Sequence, residues 1–274
     1  MTHPALVDAD WLEKHLDDED VVVVEVDGSA GNYRSGHIRG AVHVDWERDL
    51  MQPVVRDLVD RPALEGLLGD RGVRREDTVV VYSGQNNWWA AVMFWCLTLY
   101  GHPDVRLLDG GRLKWLYDGR PLVTTPSQRR PTTYRATDVD FGSRALRDDV
   151  LQAVGTTTIV DVRSEQEYSG ELLAPPGSPQ DHPQRGGHVP GAVNVPWTET
   201  VRDDGTFRSA EEIEHAYRSR GVDPDAPMIV YCRMGWRSSH SWFALTRLLG
   251  ARQVRNYDSS WNEYGMLTGV PIER

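Results

Sequence analysis

The 274-residue sequence predicts two successive α/β domains, each a parallel β-sheet flanked by helices. Three observations predict it. First, residues 35–46, SGHIRGAVHVDW, return as residues 186–197, GGHVPGAVNVPW, at an offset of 151, and residues 79–91, VVVYSGQNNWWAA, line up with residues 228–240, MIVYCRMGWRSSH, at an offset of 149. A repeat of about half the chain implies two copies of one module. Second, β-branched apolar runs alternate with helical stretches of ten or so residues, the pattern of parallel strands covered on both faces. Third, the copies differ where it matters chemically: Ser83 stands opposite Cys232. A reactive side chain in one copy alone points to a catalytic domain beside a structural one.

Each element follows in order. A short helix spans residues 9–16, and VVVVEV (residues 21–26) reads as a β-branched run, as buried parallel strands tend to be. AVHVDW is a short strand, residues 61–71 a helix, TVVVYS (78–83) a strand, residues 88–99 a helix, and VRLLDG (105–110) closes the alternation. The second half repeats this: helix 144–154, strand 157–162, strand AVNVPW, helix 210–220, strand PMIVYC, helix 238–249 and strand QVRNYD. Residues 124–142 are rich in Pro, Thr and Arg and lack an apolar period, which reads as a linker. The domains are therefore expected at 1–123 and 143–274. Residues 171–187, ELLAPPGSPQDHPQRGG, are an insertion, because the offset is 136 at Asp161 against Glu25 but 151 just after it. It reads either as a lid over the site or as a tolerated surface loop.

Bulk properties limit the function. A net charge of −11 disfavours nucleic acid and anionic membranes as partners. No stretch reaches the ~18 apolar residues of a membrane helix. The N-terminal residues are acidic and lack a basic stretch followed by an apolar one, so the expected compartment is the cytoplasm. Two cysteines make no disulfide framework, and Cys96, inside the apolar helix, is expected to be an inert core residue. Without clustered histidines no metal site is indicated, and no cofactor is called for.

Chemistry concentrates at Cys232. It ends an apolar strand, and a helix begins shortly after it, the edge at which open parallel sheets bind ligands. Arg233, Met234, Gly235, Trp236 and Arg237 form the tight turn between them, followed by Ser238. A loop curling onto a helix N-terminus points backbone N–H groups inward, and with the helix dipole forms an anion cradle that stabilises a thiolate. Arg233 and Arg237 add positive charge for an anionic substrate. His240 is the tempting general base, but it lies eight residues along, on the helix, and reads as structural. His37 and His188 occur in both copies and read as packing or turn residues.

With these residues in view, the chain resembles the tandem-domain rhodaneses, the thiosulfate and 3-mercaptopyruvate sulfurtransferases. The likeness covers nearly all of the chain. It rests on GHVPGAVN (187–194), DVRS (161–164) and YCRMGWRSS (231–239). It implies two five-stranded parallel α/β domains, an inactive first copy, and a second whose cysteine carries sulfur as a persulfide. Cys232 would be the nucleophile, residues 233–238 the substrate-binding loop, and Arg237 the foremost anion contact. Expected partners are a small anionic sulfur donor and a cyanide or thiol acceptor, a thioredoxin-like protein among them.

The chain also departs from the family pattern. Mercaptopyruvate-type loops resemble CGSGVT, whereas CRMGWR, with arginine next to the cysteine, resembles the thiosulfate type. The family's arginine four residues beyond the DxR arginine is replaced by Glu167, for which Arg185 in the insertion is a candidate substitute. Asp258 and Trp261, after the last strand, either line the pocket or close the domain. Cysteine phosphatases use Cys-x5-Arg; here Cys232 to Arg237 is Cys-x4-Arg, a smaller ring suited to one sulfur atom. A non-catalytic persulfide relay with protein partners is the remaining alternative.

Overall fold

A computed structural model describes residues 5–28, 30–84, 86–137, 139–175, 177–180 and 184–274. Two compact units divide it: residues 1–140 with 203–206, and residues 141–202 with 207–274.

The first unit contains β1 (Leu6–Val7), α1 (Ala9–His15), β2 (Val21–Asp27), α2 (Ala30–Ser35), β3 (Val42–Asp45), α3 (Trp46–Asp49), α4 (Arg61–Asp70), β4 (Thr78–Tyr82), α5 (Trp88–Leu99), β5 (Val105–Leu108) and α6 (Gly111–Tyr117). Its sheet has the order β1-β5-β4-β2-β3, and every pair is parallel. All seven residues of β2 are buried, which explains its run of four valines, while the buried Glu25 is met by the Tyr82 hydroxyl and by Arg112. Helix α5 is apolar on all sides because it too is buried, and Cys96 sits within it.

The stretch expected to be a linker is instead mostly part of this unit. Thr132 N–H donates to the Gly69 carbonyl at 2.9 Å, and the Asp140 N–H to the Leu99 carbonyl at 2.9 Å. Tyr134 is buried, with its hydroxyl 2.8 Å from Nδ1 of His102. Prolines and threonines deny this segment a helix or strand period, yet its backbone groups find partners on the unit it crosses.

The second unit contains α7 (Arg147–Ala153), β6 (Thr158–Asp161), α8 (Glu165–Ser169), β7 (Val193–Asn194), α9 (Ala210–Arg218), β8 (Met228–Tyr231), α10 (Trp236–Phe243), β9 (Val254–Tyr257) and α11 (Ser260–Tyr264). Its sheet is parallel with the order β7-β6-β8-β9. Four strands replace the five implied by the family likeness. A single parallel bridge, Arg144 to Asn256, with the Ala145 N–H donating to the Asn256 carbonyl at 2.9 Å, occupies the outer position. One face of the sheet packs Ile159, Ile229, Tyr231 and Tyr257 against Trp261 and Tyr264.

The expected helix 238–249 differs at both ends. It starts at Trp236, and after Phe243 it loosens into a π-helical turn over Ala244–Leu248. Trp236 and Arg237 therefore belong to the first helical turn and not to the preceding loop. Of the insertion at 171–187, Pro176 and residues 181–183 lie outside the described residues. Elsewhere in it the Gln180 side chain accepts from the Leu173 N–H at 2.9 Å and donates to the Ser178 carbonyl at 2.9 Å.

Candidate active site

Strand β8 delivers Cys232 to the carboxyl edge of the second sheet, between β6 and β9. Its backbone is clamped on both sides. The Cys232 N–H donates to Ser260 Oγ at 3.1 Å, and its carbonyl accepts the Trp261 N–H at 3.1 Å. The Arg233 carbonyl accepts the Asn262 N–H at 3.0 Å. Thus α11 holds the start of the turn.

Gly235 ends the turn. It caps α10 with φ of +88°, in the left-handed region, and an added Cβ would lie 2.6 Å from the Asp258 carbonyl oxygen. From that conformation its N–H points back at the sulfur, 3.2 Å from Sγ. Its carbonyl accepts from the hydroxyls of Ser238 at 3.1 Å and Ser239 at 2.7 Å. Cys232 is 1% exposed, while Arg233, Met234 and Trp236 are half-buried around it. A sulfur beneath an N–H donor and the N-terminus of an eight-residue helix is in a field that favours negative charge.

Arg237 is placed differently from the role expected of it. Its two terminal nitrogens donate to the two oxygens of Glu167 at 2.7 and 2.8 Å, so the fork is engaged inside the protein. Glu167 belongs to α8, a helix absent from the sequence reading. There it also forms a capping box with Ser164: the Ser164 N–H donates to Glu167 Oε2, and the Glu167 N–H to Ser164 Oγ, both at 3.2 Å. Burial alone would raise the Glu167 carboxyl, but the hydrogen bond and charge of Arg237, with Arg163 behind it, hold it below the usual carboxylate range. Burial weakens the positive form of Arg233, an effect opposed by the nearby Glu167 and Cys232.

The DVRS stretch is a buried pillar. Arg163 meets Asp161 at 2.6 Å and the Gly187 carbonyl at 2.7 Å, with its guanidinium 4.6 Å from the Trp261 ring centroid. Trp261 is fully buried and donates its indole N–H to the Arg185 carbonyl at 2.9 Å, so it closes the domain and does not line an open mouth. Asp258 is held by Arg144 at 2.9 and 3.0 Å. Arg185, the candidate substitute for the missing family arginine, donates to the carbonyls of Gly265, Val270 and Leu267 at 3.2, 2.9 and 3.2 Å. It ties the insertion to the C-terminal segment. The Gly265 carbonyl also accepts the Arg185 N–H at 3.1 Å, so backbone and side chain join at one site.

His37, His188 and His240 are packed into the fold. His37 and His188 stack on Tyr33 and Tyr168, and each ring places Nδ1 near that tyrosine's carbonyl, at 2.8 and 2.9 Å. His240 is fully buried, stacked 4.5 Å from Phe207 with the Trp197 ring edge-on, and burial pushes its pKa down to about 3. It is a neutral ring at physiological pH.

Ser260 was not singled out from the sequence. It takes φ of +56°, rare for a residue with a side chain, and its hydroxyl lies 3.9 Å from Sγ. The signal was present in the repeat: Gly111, at φ of +52°, is its counterpart in the first copy.

The fold and site together define a class of parallel α/β domain that holds a buried cysteine at a strand end, under the N-terminus of the next helix. Residues 8–118 and 146–266 match the model of the Rhodanese-like domain, and the chain belongs to the rhodanese family. It is 51% identical over 268 residues to a Mycolicibacterium smegmatis protein named "Putative thiosulfate sulfurtransferase", covering 98% of this chain and 97% of that one. It is 48% identical over 278 residues to the Thermus thermophilus protein named sulfur carrier protein TtuD, covering 99% and 98%. Among solved structures, SseA of Escherichia coli, described with the 3-mercaptopyruvate sulfotransferases, superposes with a TM-score of 0.77 at 27% identity, over 94% of this chain and 99% of that one. The chain is thus a tandem rhodanese-type sulfurtransferase homologue. Among the described residues, no helix is long and apolar enough to cross a membrane.

Proposed function

We propose that this protein transfers a sulfane sulfur through a persulfide on Cys232, with thiosulfate as a donor. The Sγ thiolate attacks the outer sulfur of thiosulfate, the S–S bond breaks, and sulfite leaves with the electron pair. Cyanide or a thiolate then attacks the terminal sulfur and regenerates Cys232. Acceptors of this kind include a thioredoxin-like dithiol, and the setting is the cytoplasm. The observation that carries the reading is the 3.2 Å approach of the Gly235 N–H to Sγ at the head of α10. The same donor can stabilise charge on Sγ before transfer and on the disulfane afterwards. Substrate binding is assigned to Arg233, Met234 and Gly235 in the turn and to Trp236, Arg237 and Ser238 in the first turn of α10, with Arg237 acting through Glu167.

The relative named as a sulfur carrier favours a second reading, in which the persulfide is received from and passed to proteins. Steady-state rates with thiosulfate and with 3-mercaptopyruvate, using one acceptor, test the assignment. Faster turnover with thiosulfate supports the first reading. Faster turnover with mercaptopyruvate refutes the choice of donor, and turnover with neither, while a protein persulfide loads Cys232, supports the carrier.

A further inference from the structure

The charged groups around Cys232 are arranged in opposing sets. Arg163 is locked to Asp161, and Arg237 is locked by both terminal nitrogens to Glu167. Both pairs are buried, with Glu167 fully so and Arg237 6% exposed. Arg233, in the turn, lies in the field of Glu167, Arg237, Arg163 and the cysteine. Three guanidinium groups thus stand among two carboxylates and the cysteine sulfur, and when that sulfur attacks as the thiolate the charges of this centre cancel. Without Glu167 it would carry one more positive charge beside the sulfur.

We infer that Glu167 is a specificity-determining residue: by clamping and neutralising Arg237, it removes the advantage a bare arginine would give to dianions, so that a donor with one negative charge, such as an organic persulfide, is accepted beside the dianion thiosulfate. The inference rests on the Cys232 persulfide reading and deepens it. A dianion gains twice what a monoanion gains from an uncompensated cation. One extra charge several ångströms away in a partly wet site therefore changes their relative binding by on the order of tenfold. The engaged fork also has no paired donors to offer a second oxyanion.

The transfer from a persulfide balances without any further reagent. The Sγ thiolate attacks the terminal sulfur of R–S–SH and the donor S–S bond breaks. The electron pair leaves on R–S, which takes the proton as R–SH, and Cys232 is left as the persulfide anion.

The test compares kcat/KM for glutathione persulfide and for thiosulfate, with cyanide as acceptor, in the wild type, E167Q and the charge-balanced double variant E167Q/R237Q. In E167Q the persulfide-to-thiosulfate ratio should fall about tenfold, mainly through a lower thiosulfate KM, and thiosulfate turnover should become more sensitive to ionic strength. In the double variant the ratio should return toward the wild-type value. An unchanged ratio in E167Q, or an equal loss on both donors, overturns the inference. Should the variants fail to fold, the wild type still decides: sulfate should inhibit no better than nitrate, and much tighter inhibition by sulfate contradicts a neutralised site. A wild type that takes sulfur from neither donor refutes the persulfide reading itself. One that loads normally with an unshifted ratio refutes only the role of Glu167.

Discussion

The hydroxyl of Ser260 accepts the Cys232 N–H at 3.1 Å and stands 3.9 Å from Sγ, while donating to the Tyr257 carbonyl at 2.7 Å. It does this from a left-handed backbone conformation that β-carbon-bearing residues adopt at a cost of roughly 1–2 kcal/mol. The first copy has Gly111 at this place and Ser83 in place of the cysteine. Even so, the Arg112 N–H donates to the Ser83 carbonyl at 3.1 Å, just as the Trp261 N–H donates to that of Cys232. The backbone clamp is shared by both copies. The hydroxyl and the thiol belong to one.

Replacing Ser260 separates the strain from the chemistry. Ser260→Gly should be more stable than Ser260→Ala by about 1 kcal/mol, because only glycine accepts a positive φ freely. Both should lose activity, by roughly tenfold, since both remove the oxygen that fixes the cysteine N–H. Denaturant melts with steady-state rates check this. An Ala variant as active as the wild type removes Ser260 from the site.

Gly235→Ala should be far more damaging. The added methyl would meet the Asp258 carbonyl oxygen at 2.6 Å in a backbone region unfavourable to alanine. A loss of at least ~2 kcal/mol in stability and of nearly all turnover is expected. Melting temperature and rate together measure it; a variant with normal values for both contradicts the described turn.

His240 gives a pH signature. Its folded pKa of about 3 lies below its ordinary 6.5, so the fold favours the neutral ring. The stability this confers is complete above pH 6.5 and is lost as the pH falls toward 3, by at most ~1.4 kcal/mol per unit. His240→Phe keeps an aromatic ring against Phe207 without a titrating group. Its stability relative to the wild type should therefore rise between pH 6.5 and 4.5. Parallel pH dependences of the two proteins would contradict the buried neutral ring.

Much of this was legible in the sequence, for local reasons. VVVVEV and MIVY are buried on both faces, so composition alone marks them as strands of a parallel sheet. Cys232 followed by a glycine and a helix start is a contiguous motif, visible without tertiary knowledge. What escaped depends on distant partners. Glu167 and Arg237 are 70 residues apart, and nothing local shows that the arginine's charge is answered by that carboxylate. The tie of Arg185 to the C-terminal segment has no local signal, because its partners are backbone carbonyls, which every residue has. The segment before residue 140 reads as a linker because it lacks a period; it is fixed by backbone hydrogen bonds and Tyr134. The short helices α2, α8 and α11 are five or six residues long, too brief for an amphipathic pattern to emerge.

The central claim is that Cys232 accepts and gives up one sulfur atom. Mass spectrometry of the protein after thiosulfate or glutathione persulfide treatment, followed by peptide mapping, tests it most directly. A gain of one sulfur on the Cys232 peptide is expected, reversed by cyanide and absent in a stably folded Cys232→Ser variant that has lost turnover. No gain on that peptide with either donor, or a gain that persists in the Cys232→Ser variant, would contradict it.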